Sequence, residues 1–490
     1  MMSKLFKVLA LLFAAALVAA ACGNDDDDGS GAAPAPAATE APAPAAGDDD
    51  HDHEHEDDDD HDHEHEDDDD HEHEEDEGMA EEMPGVVEED DDMVEEDDMA
   101  EEVVVEGCGA NTDGDVRGVD KENGVITIGT SQPFSGRAAV AGEGLLAGIQ
   151  MTVDEVNAAG GIDGCTFELA WEDDRFEIEQ MVINVRKLIE QDNVWAFVGT
   201  AGSQAIPSTY PDIEDAGTPL WGPVSPADQD IQEVYLTNPT RTEQGKICID
   251  YFAEQGVTKV AAIGQDNELG VEAFNAIDAQ APINGMEITA KEEVEVLSDV
   301  VGPAVLAVID SGAEAVLTAL DNAQNGLVLD QFHEFGFDAL VCSDAGSSGA
   351  GGQNTVGLAN PEAADGYLGA LQVALPDGDH EFVLHWRALW DAYDGPGKEG
   401  GAPNFSLQTY SIATAFFELF DRLDGDYSYE NFHATAESLV NDPILVPAIP
   451  PVACGTLPGG HSCASGAGVA QYDADTETWS QVRSFQQPNS

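Results

Sequence analysis

The sequence is poor in basic residues, with 16 Lys and Arg against 100 Asp and Glu among 490 residues and a formal net charge of -84. Because contact with phosphate needs clustered Lys and Arg, this balance argues against nucleic acid as a partner. The acid is concentrated near the N-terminus, where 41 of the 100 acidic residues precede residue 111, but the remainder is acidic too. A strongly solvated surface is therefore expected, although a salty habitat would also explain it.

Sequence signatures of catalysis are also missing. The chain has no GxSxG elbow, no HExxH pair, no P-loop and no CxxC pair. The histidines beyond the tail are scattered through ordinary helix and loop contexts, and these are His333, His380, His385, His433 and His461. The sequence thus predicts neither an enzyme nor a resident cofactor.

The first 22 residues indicate export. Lys4 and Lys7 precede an apolar run that is too short to span a bilayer comfortably, and small residues then lead into Cys22. This pattern resembles a bacterial lipoprotein signal, in which cleavage before Cys22 leaves a lipidated N-terminus. The alternative is an ordinary signal peptide with an incidental cysteine. Both interpretations place the protein outside the cytoplasm, and the first anchors it to the bacterial cell membrane.

Residues 23–107 are predicted to form a disordered tether, because Ala/Pro-rich sequence and then a self-repelling acidic run cannot bury a core. Within it, DDDHDHEHED recurs with a ten-residue period. Such alternating imidazoles and carboxylates offer divalent metals many ligands, but a solvated spacer explains them equally simply. The histidines concerned are His51, His53, His55, His61, His63, His65, His71 and His73.

Six cysteines remain when Cys22 is set aside, and an even number in an exported protein suggests disulfides. Buried free thiols are the alternative. We expect Cys454 to pair with Cys463 across a short Gly/Pro loop, and Cys108 to pair with Cys165. Cys248 and Cys342 are then the residual pair.

From Gly124 onward, short apolar strands alternate with amphipathic helices, which predicts parallel sheets covered by helices. The pattern starts afresh near residue 242, so two Rossmann-like lobes are expected with a cleft between them. Long helical segments follow near residues 382–393 and 406–423. Their aromatic residues are interpreted as core: Trp386, Trp390, Phe416, Phe417 and Phe420.

Several stretches of this α/β region resemble a known family. They are FSGRAAVAGEGLLAGIQMTVDEVNAAGGIDG, FELAWEDD and VRKLIEQDNVWAFVG in the first half, and KVAAIGQDNELGVEAF and DSGAEAVLTALDNAQNGLVLDQFHEFGFDALVCSDAG in the second. In this order they resemble the type I periplasmic binding proteins of branched-chain amino acid ABC transporters. The likeness runs from near Gly124 to the end of the chain.

The resemblance implies two hinged lobes that close over a small solute, with three crossings of the chain between them. The crossings are expected near Asn238, near residues 366–369 and near residues 450–455. The first lobe would comprise residues 124–238 and 367–452, and the second residues 239–366 and 453–490. Closure would be driven by contacts that exist in the closed state alone.

The resemblance also implies a ligand site. In the family, two first-lobe loops hold the solute's carboxylate, and a tyrosine and an acidic residue of the second lobe enclose its ammonium. The first loop corresponds to Ser203, which could equally cap its helix. The second corresponds to Val224, through its backbone NH, and to Ser225 if it replaces a missing threonine.

Three positions depart from the family pattern. Its aromatic residue in the opening loop corresponds to Ala141, its second-lobe tyrosine to Leu269, and its ammonium-binding glutamate to Gln324. Leu269 could be core, and Gln324 could cap a helix or face solvent. Asp321 could supply the missing charge. We therefore expect a solute other than a simple branched-chain amino acid, such as an amide, a urea-like compound, an organic acid or a larger apolar molecule.

The sequence as a whole predicts a monomeric, lipid-anchored receptor that delivers a small solute to an ABC permease. A sensory receptor on the same fold is one alternative, and a metal-binding lipoprotein that acts through its tail is another. The identity of the solute stays open at this stage.

Overall fold

The protein is described from a computed structural model that covers residues 107–202, 205–224, 231–349, 355–455, 461–464 and 466–490. Several predicted functional residues lie outside this described part of the chain: Cys22, the eight histidines of the tail, Ser203 and Ser225. In the part that is described, no helix is both long enough and apolar enough to cross a membrane.

The first lobe is built on a seven-stranded sheet in which every pairing is parallel except that of the short edge strand β1. Its order is β1-β2-β4-β5-β6-β12, with β3 also beside β2. The strands are β1 (Val119–Asp120), β2 (Val125–Gln132), β3 (Thr166–Asp173), β4 (Ala196–Val198), β5 (Leu220–Trp221), β6 (Val234–Leu236) and β12 (His461–Ser462).

Six helices accompany the first sheet: α1 (Ala139–Ala158), α2 (Ile178–Glu190), α3 (Tyr210–Ala216), α10 (Glu381–Ala392), α11 (Pro403–Asp421) and α12 (Tyr429–Ser438). Short 3₁₀ turns at Gly136–Ala138 and Ile206–Thr209 precede α1 and α3. Helices α1 and α11 pack closely because Gly148 leaves room between them. A Cβ atom there would lie 2.2 Å from the Ser406 carbonyl oxygen.

The second lobe is built on a sheet of order β14-β13-β11-β10-β9-β7-β8, in which the last five strands are parallel. The strands are β7 (Lys259–Gln265), β8 (Glu287–Val294), β9 (Ala315–Ala319), β10 (Leu340–Ser343), β11 (Leu368–Leu371), β13 (Ala467–Asp473) and β14 (Thr478–Gln486). The helices are α4 (Arg241–Glu254), α5 (Glu268–Ile283), α6 (Gly302–Ser311), α7 (Asn322–Glu334), α8 (Ala345–Ser348) and α9 (Pro361–Ala364).

The predicted fold class is confirmed, but two predicted lobe boundaries are wrong. Strand β11 pairs with β10 and β13 of the second sheet, and the chain reaches the first lobe at Ala374, whose NH donates to the Ala448 carbonyl. Strand β12 pairs with β6 of the first sheet. The second and third crossings thus follow Leu371 and Ser462, because sheet pairing continues past the glycines and prolines that suggested earlier breaks.

The core of the first lobe is rich in aromatic residues. Trp195 contacts Phe416, Phe420 and Phe432 at ring-centroid distances of 6.1, 5.1 and 5.3 Å. All five aromatic residues predicted to be core on α10 and α11 are buried. This interpretation is confirmed, and these rings are not part of an open aromatic pocket.

All six cysteines beyond the tail form disulfides, in the three pairs that the sequence suggested: Cys108–Cys165, Cys248–Cys342 and Cys454–Cys463. The first joins the segment before β1 to the start of β3. The second joins α4 to β10, and the third joins Cys454 to the residue directly after β12.

Candidate functional site

The carboxyl ends of the parallel strands are where ligands bind in open α/β sheets. In the first lobe this edge holds buried polar atoms for which no described residue supplies a hydrogen-bond partner. They are Gln132 Oε1 at the end of β2, Thr200 Oγ1 after β4, and Thr237 Oγ1 and Asn238 Oδ1 after β6. An unpaired buried polar atom costs stability, so the edge favours a ligand or water that completes these bonds.

The same edge of the second lobe is a closed network. Gln324, 2 % exposed, donates from Nε2 to the carbonyls of Glu295 (2.8 Å) and Ser298 (3.0 Å), and its Oε1 accepts from Gln265 Nε2 at 2.6 Å. Asp321 accepts from the Gln324 NH and from Gln265 Nε2. The role of Gln324 at an ammonium stays a prediction; in this structure its amide hydrogens hold the loop after β8 and its Oε1 accepts from Gln265.

Asp344, which directly follows β10, keeps one buried carboxylate oxygen unpaired among the described residues of this lobe. It is 5 % exposed, and its Oδ1 accepts from the NH groups of Gly346 (3.0 Å) and Ser347 (3.2 Å). Its Oδ2 has no hydrogen-bond partner among the described residues. Arg241 Nε lies 3.7 Å from Oδ1 but is shared with Glu272, so one cation faces two carboxylates.

A narrow pocket of about 60 Å³ lies at the start of α8, the helix that Asp344 caps. It is bounded by residues of both lobes, with Ala345 and Gly346 of α8, Leu371 of β11, Val224, and Phe405 and Gln408 of α11. Gln408 is 2 % exposed, and its Nε2 has no acceptor among the described residues. Gln408 therefore places an unpaired amide donor in the wall of the pocket, whereas Asp344 precedes two of the lining residues in the chain and is not itself one of them.

A larger cavity of about 460 Å³ lies on the first lobe, between the start of α2 and the loop after β4. Its buried acid is Asp174, which accepts from Ser131 Oγ at 2.9 Å and from the Phe176 NH at 2.9 Å. Burial raises the pKa of Asp174 to about 6. Each oxygen of Asp174 thus has a hydrogen-bond partner, unlike Oδ2 of Asp344.

The other predicted contacts have mixed positions. The NH of Val224, predicted to hold the solute, instead donates to the Thr200 carbonyl at 2.8 Å, although the residue does line the narrow pocket. Leu269 packs against the core of the second lobe, which agrees with its alternative interpretation. Ala141 lies half-buried in the first turn of α1.

Sequence reasoning missed Asp344 and Gln408. A signal existed for Asp344, because an acid that directly follows a parallel strand stands at the ligand-binding edge. Gln408 gave no signal, since only the packing of α11 against the crossing after β11 brings it to the cleft. Among the described residues, no group of three or more His, Cys, Asp and Glu side chains could hold a metal ion.

Comparison with known proteins agrees with this geometry. Residues 125–449 match a family model described as periplasmic binding protein. The Leu/Ile/Val-binding protein homolog 8 of Brucella abortus is 26 % identical over 320 residues, which cover 61 % of this chain and 77 % of that protein. Homolog 7 from the same organism is 26 % identical over 318 residues, covering 61 % and 78 %.

Solved structures share the fold at low identity. LivJ of Streptococcus pneumoniae, a branched-chain amino acid transporter substrate-binding protein in complex with isoleucine, has a TM-score of 0.58 at 20 % identity, covering 74 % of this chain and 100 % of its own. A solute-binding protein of R. palustris in complex with benzoate has a TM-score of 0.57 at 14 % identity, covering 74 % and 96 %.

The family match covers more than half of the chain, and the two sheets have the expected parallel order. Family membership indicates an extracytoplasmic location and a solute-binding role. The chain belongs to the type I periplasmic binding proteins, which are substrate-binding proteins of ABC transporters and not enzymes.

Proposed function

We propose that this protein captures a small solute with an ammonium group between its two lobes and delivers it to an ABC permease. The observation that carries the proposal is Asp344 Oδ2, a buried carboxylate oxygen without a hydrogen-bond partner among the described residues. Asp344 caps α8, and the first turn of that helix lines a pocket bounded by both lobes. An ammonium donor is the group that best satisfies such an atom, because a charged partner offsets the cost of burying the carboxylate.

In this proposal the solute's carboxylate is bound by the first-lobe loops that contain Ser203 and Ser225. The unpaired oxygens of Thr200 and Thr237 lie at the same edge of the sheet and are available to ordered water or to solute donors. Lipidation at Cys22 would hold the monomeric receptor at the membrane, and residues 23–107 would be the tether. Named relatives that bind isoleucine or valine support an amino acid or a related amide as the solute.

The proposal is tested by calorimetry on the full-length protein after bound molecules are removed by unfolding and refolding with the disulfides intact. L-Leucine and L-glutamine are compared with their deaminated analogues. We expect at least one amine to bind and its deaminated analogue to bind at least about tenfold more weakly, since hydrogen bonds to charged groups contribute about 1.5–3 kcal/mol.

The Asp344→Asn variant separates charge from shape, because the amide oxygen can still cap α8. We expect it to weaken amine binding about 10- to 100-fold. Asp321→Asn is the matched control, since Asp321 also caps a helix, two residues after the end of β9, but has both oxygens paired. Equal binding by wild type and Asp344→Asn would refute the assignment of the ammonium to Asp344.

A further inference from the structure

Gln408 is a buried side chain with unmet hydrogen-bonding capacity at the cleft. It lies in the second turn of α11 and is 2 % exposed, yet no described residue accepts from its Nε2. It lines the narrow pocket at the start of α8. Burial of an amide without a partner is costly, and most buried polar atoms in folded proteins are paired. The Gln408 amide therefore needs a hydrogen-bond acceptor in the pocket.

The start of α11 adds a second source of donors at the same place. The helix has 19 residues, its N-cap Ala402 makes no side-chain capping bond, and its first turn contains no acidic residue. The first-turn NH groups of a helix have no partner within the helix, and the helix dipole favours negative charge there. Asn404 and Phe405 of this turn both line the pocket.

The remaining wall limits what can enter. Leu371 and Val373 from the crossing after β11 are apolar, and none of the residues that line the pocket is charged. A volume of about 60 Å³ accommodates a compact polar group and not a long side chain. Donors at one end of a small, largely apolar pocket select an acceptor oxygen over a methyl group, because a methyl group leaves the donors unpaired.

We propose that Gln408 and the N-terminus of α11 form a specificity site that binds a carboxamide or carboxylate oxygen in the side chain of the solute. The inference rests on the proposed function, in which Asp344 binds the ammonium and the first-lobe loops bind the α-carboxylate. The group that reaches Gln408 is then the solute's side chain. The solute class is an amino acid or related amine with an acceptor oxygen at its far end.

The test compares L-glutamine with L-norleucine, which has a side chain of similar length without an acceptor. Calorimetric titrations use the full-length protein, refolded with its disulfides intact to remove bound molecules. We expect wild type to bind L-glutamine at least about tenfold more tightly than L-norleucine. In Gln408→Leu, which keeps a similar volume, L-glutamine should bind about tenfold more weakly, and L-norleucine should bind no more weakly than it binds wild type.

Gln255→Leu, at an exposed position after α4, is the control and should keep the wild-type preference. An unchanged thermal midpoint for Gln408→Leu shows that its fold is intact. Wild type that binds L-norleucine or L-leucine as tightly as L-glutamine refutes the specificity site but leaves the proposed function standing. The same holds if Gln408→Leu keeps the preference, which would indicate that water alone fills the pocket. Failure of every amine to bind refutes both proposals.

Discussion

The two lobes differ in the hydrogen bonding of the polar side chains at the carboxyl ends of their strands. In the second lobe, Gln265, Asp321 and Gln324 bond to one another and to the loop after β8. In the first lobe, buried oxygens of Thr200 and Thr237 have no partner among the described residues. Asp344 is the exception at the second-lobe edge.

This difference indicates how the two halves of the cleft contribute to binding. A network whose members are all paired holds one geometry, so the loop after β8 is held in place against Gln324. Unpaired acceptors at the first-lobe edge are already removed from bulk water. A ligand or an ordered water that bonds to them therefore adds favourable binding free energy without a further desolvation cost for these groups. We therefore expect the free energy of folding to depend on the second-lobe edge, and the free energy of binding to depend on the first.

The largest expected effect tests the closed network. Gln324→Leu would remove three buried hydrogen bonds, to the Glu295 and Ser298 carbonyls and from Gln265 Nε2, so we expect the free energy of unfolding to fall by about 3 kcal/mol. Urea denaturation measures this loss. Gln408→Leu is the matched control, since it removes a buried amide whose nitrogen is unpaired, and should cost less than about 1 kcal/mol. Equal losses would contradict the contrast between the lobes.

The next effect concerns Asp174 in the first lobe, whose pKa burial raises to about 6 from an ordinary value of 3.8. Between these values the native state holds a proton that the unfolded state has released, so this group's contribution is favourable below about pH 4 and is lost as the pH rises through 6. A shift of about two pKa units corresponds to at most about 3 kcal/mol.

Asp174→Asn removes this titration, and its amide can still bond to the Phe176 NH and Ser131. We expect the variant to exceed wild type in free energy of unfolding by about 2 kcal/mol at pH 7.5, and by much less at pH 4. Denaturation series at both pH values measure the difference. An advantage that is larger at pH 4 than at pH 7.5 would show that burial does not govern this carboxylate.

The smallest effect comes from a pair of buried threonines. Thr318 at the second-lobe edge bonds to Ser343 Oγ, whereas Thr237 Oγ1 in the first lobe has no partner among the described residues. We expect Thr318→Val to lower the free energy of unfolding by about 1 kcal/mol and Thr237→Val to leave it unchanged or slightly raised. Thermal unfolding of both variants gives the comparison, and the reverse ranking would refute it.

The sequence predicted local structure well and the site poorly, for a physical reason. The helical segments expected near residues 382–393 and 406–423 correspond to α10 and α11, and all three disulfide pairs are confirmed. The strand Glu287–Val294 and the helix Tyr429–Ser438 were not predicted, because neither has a strong apolar pattern.

Site residues depend on contacts far apart in the chain, and local pattern does not report them. The sequence made Gln324 a candidate ligand contact, but in the structure its amide bonds to the loop after β8. Nothing in the sequence distinguishes Gln408 from other helical residues. The packing of α11 against the segment after β11 places it at the pocket. In both cases the partner, and not the residue type, determines whether an amide is structural or available.

The placement of the disulfides has a mechanical consequence. Cys108–Cys165 and Cys454–Cys463 lie on the first sheet's side, and Cys248–Cys342 lies within the second lobe. None of the three cross-links therefore connects the two sheets. Disulfide formation outside the cytoplasm would stiffen each lobe separately. The angle between the lobes would depend on three connecting segments that carry no cross-link between the sheets. The disulfides can thus raise the resistance of each lobe to unfolding without restricting the movement of one lobe relative to the other.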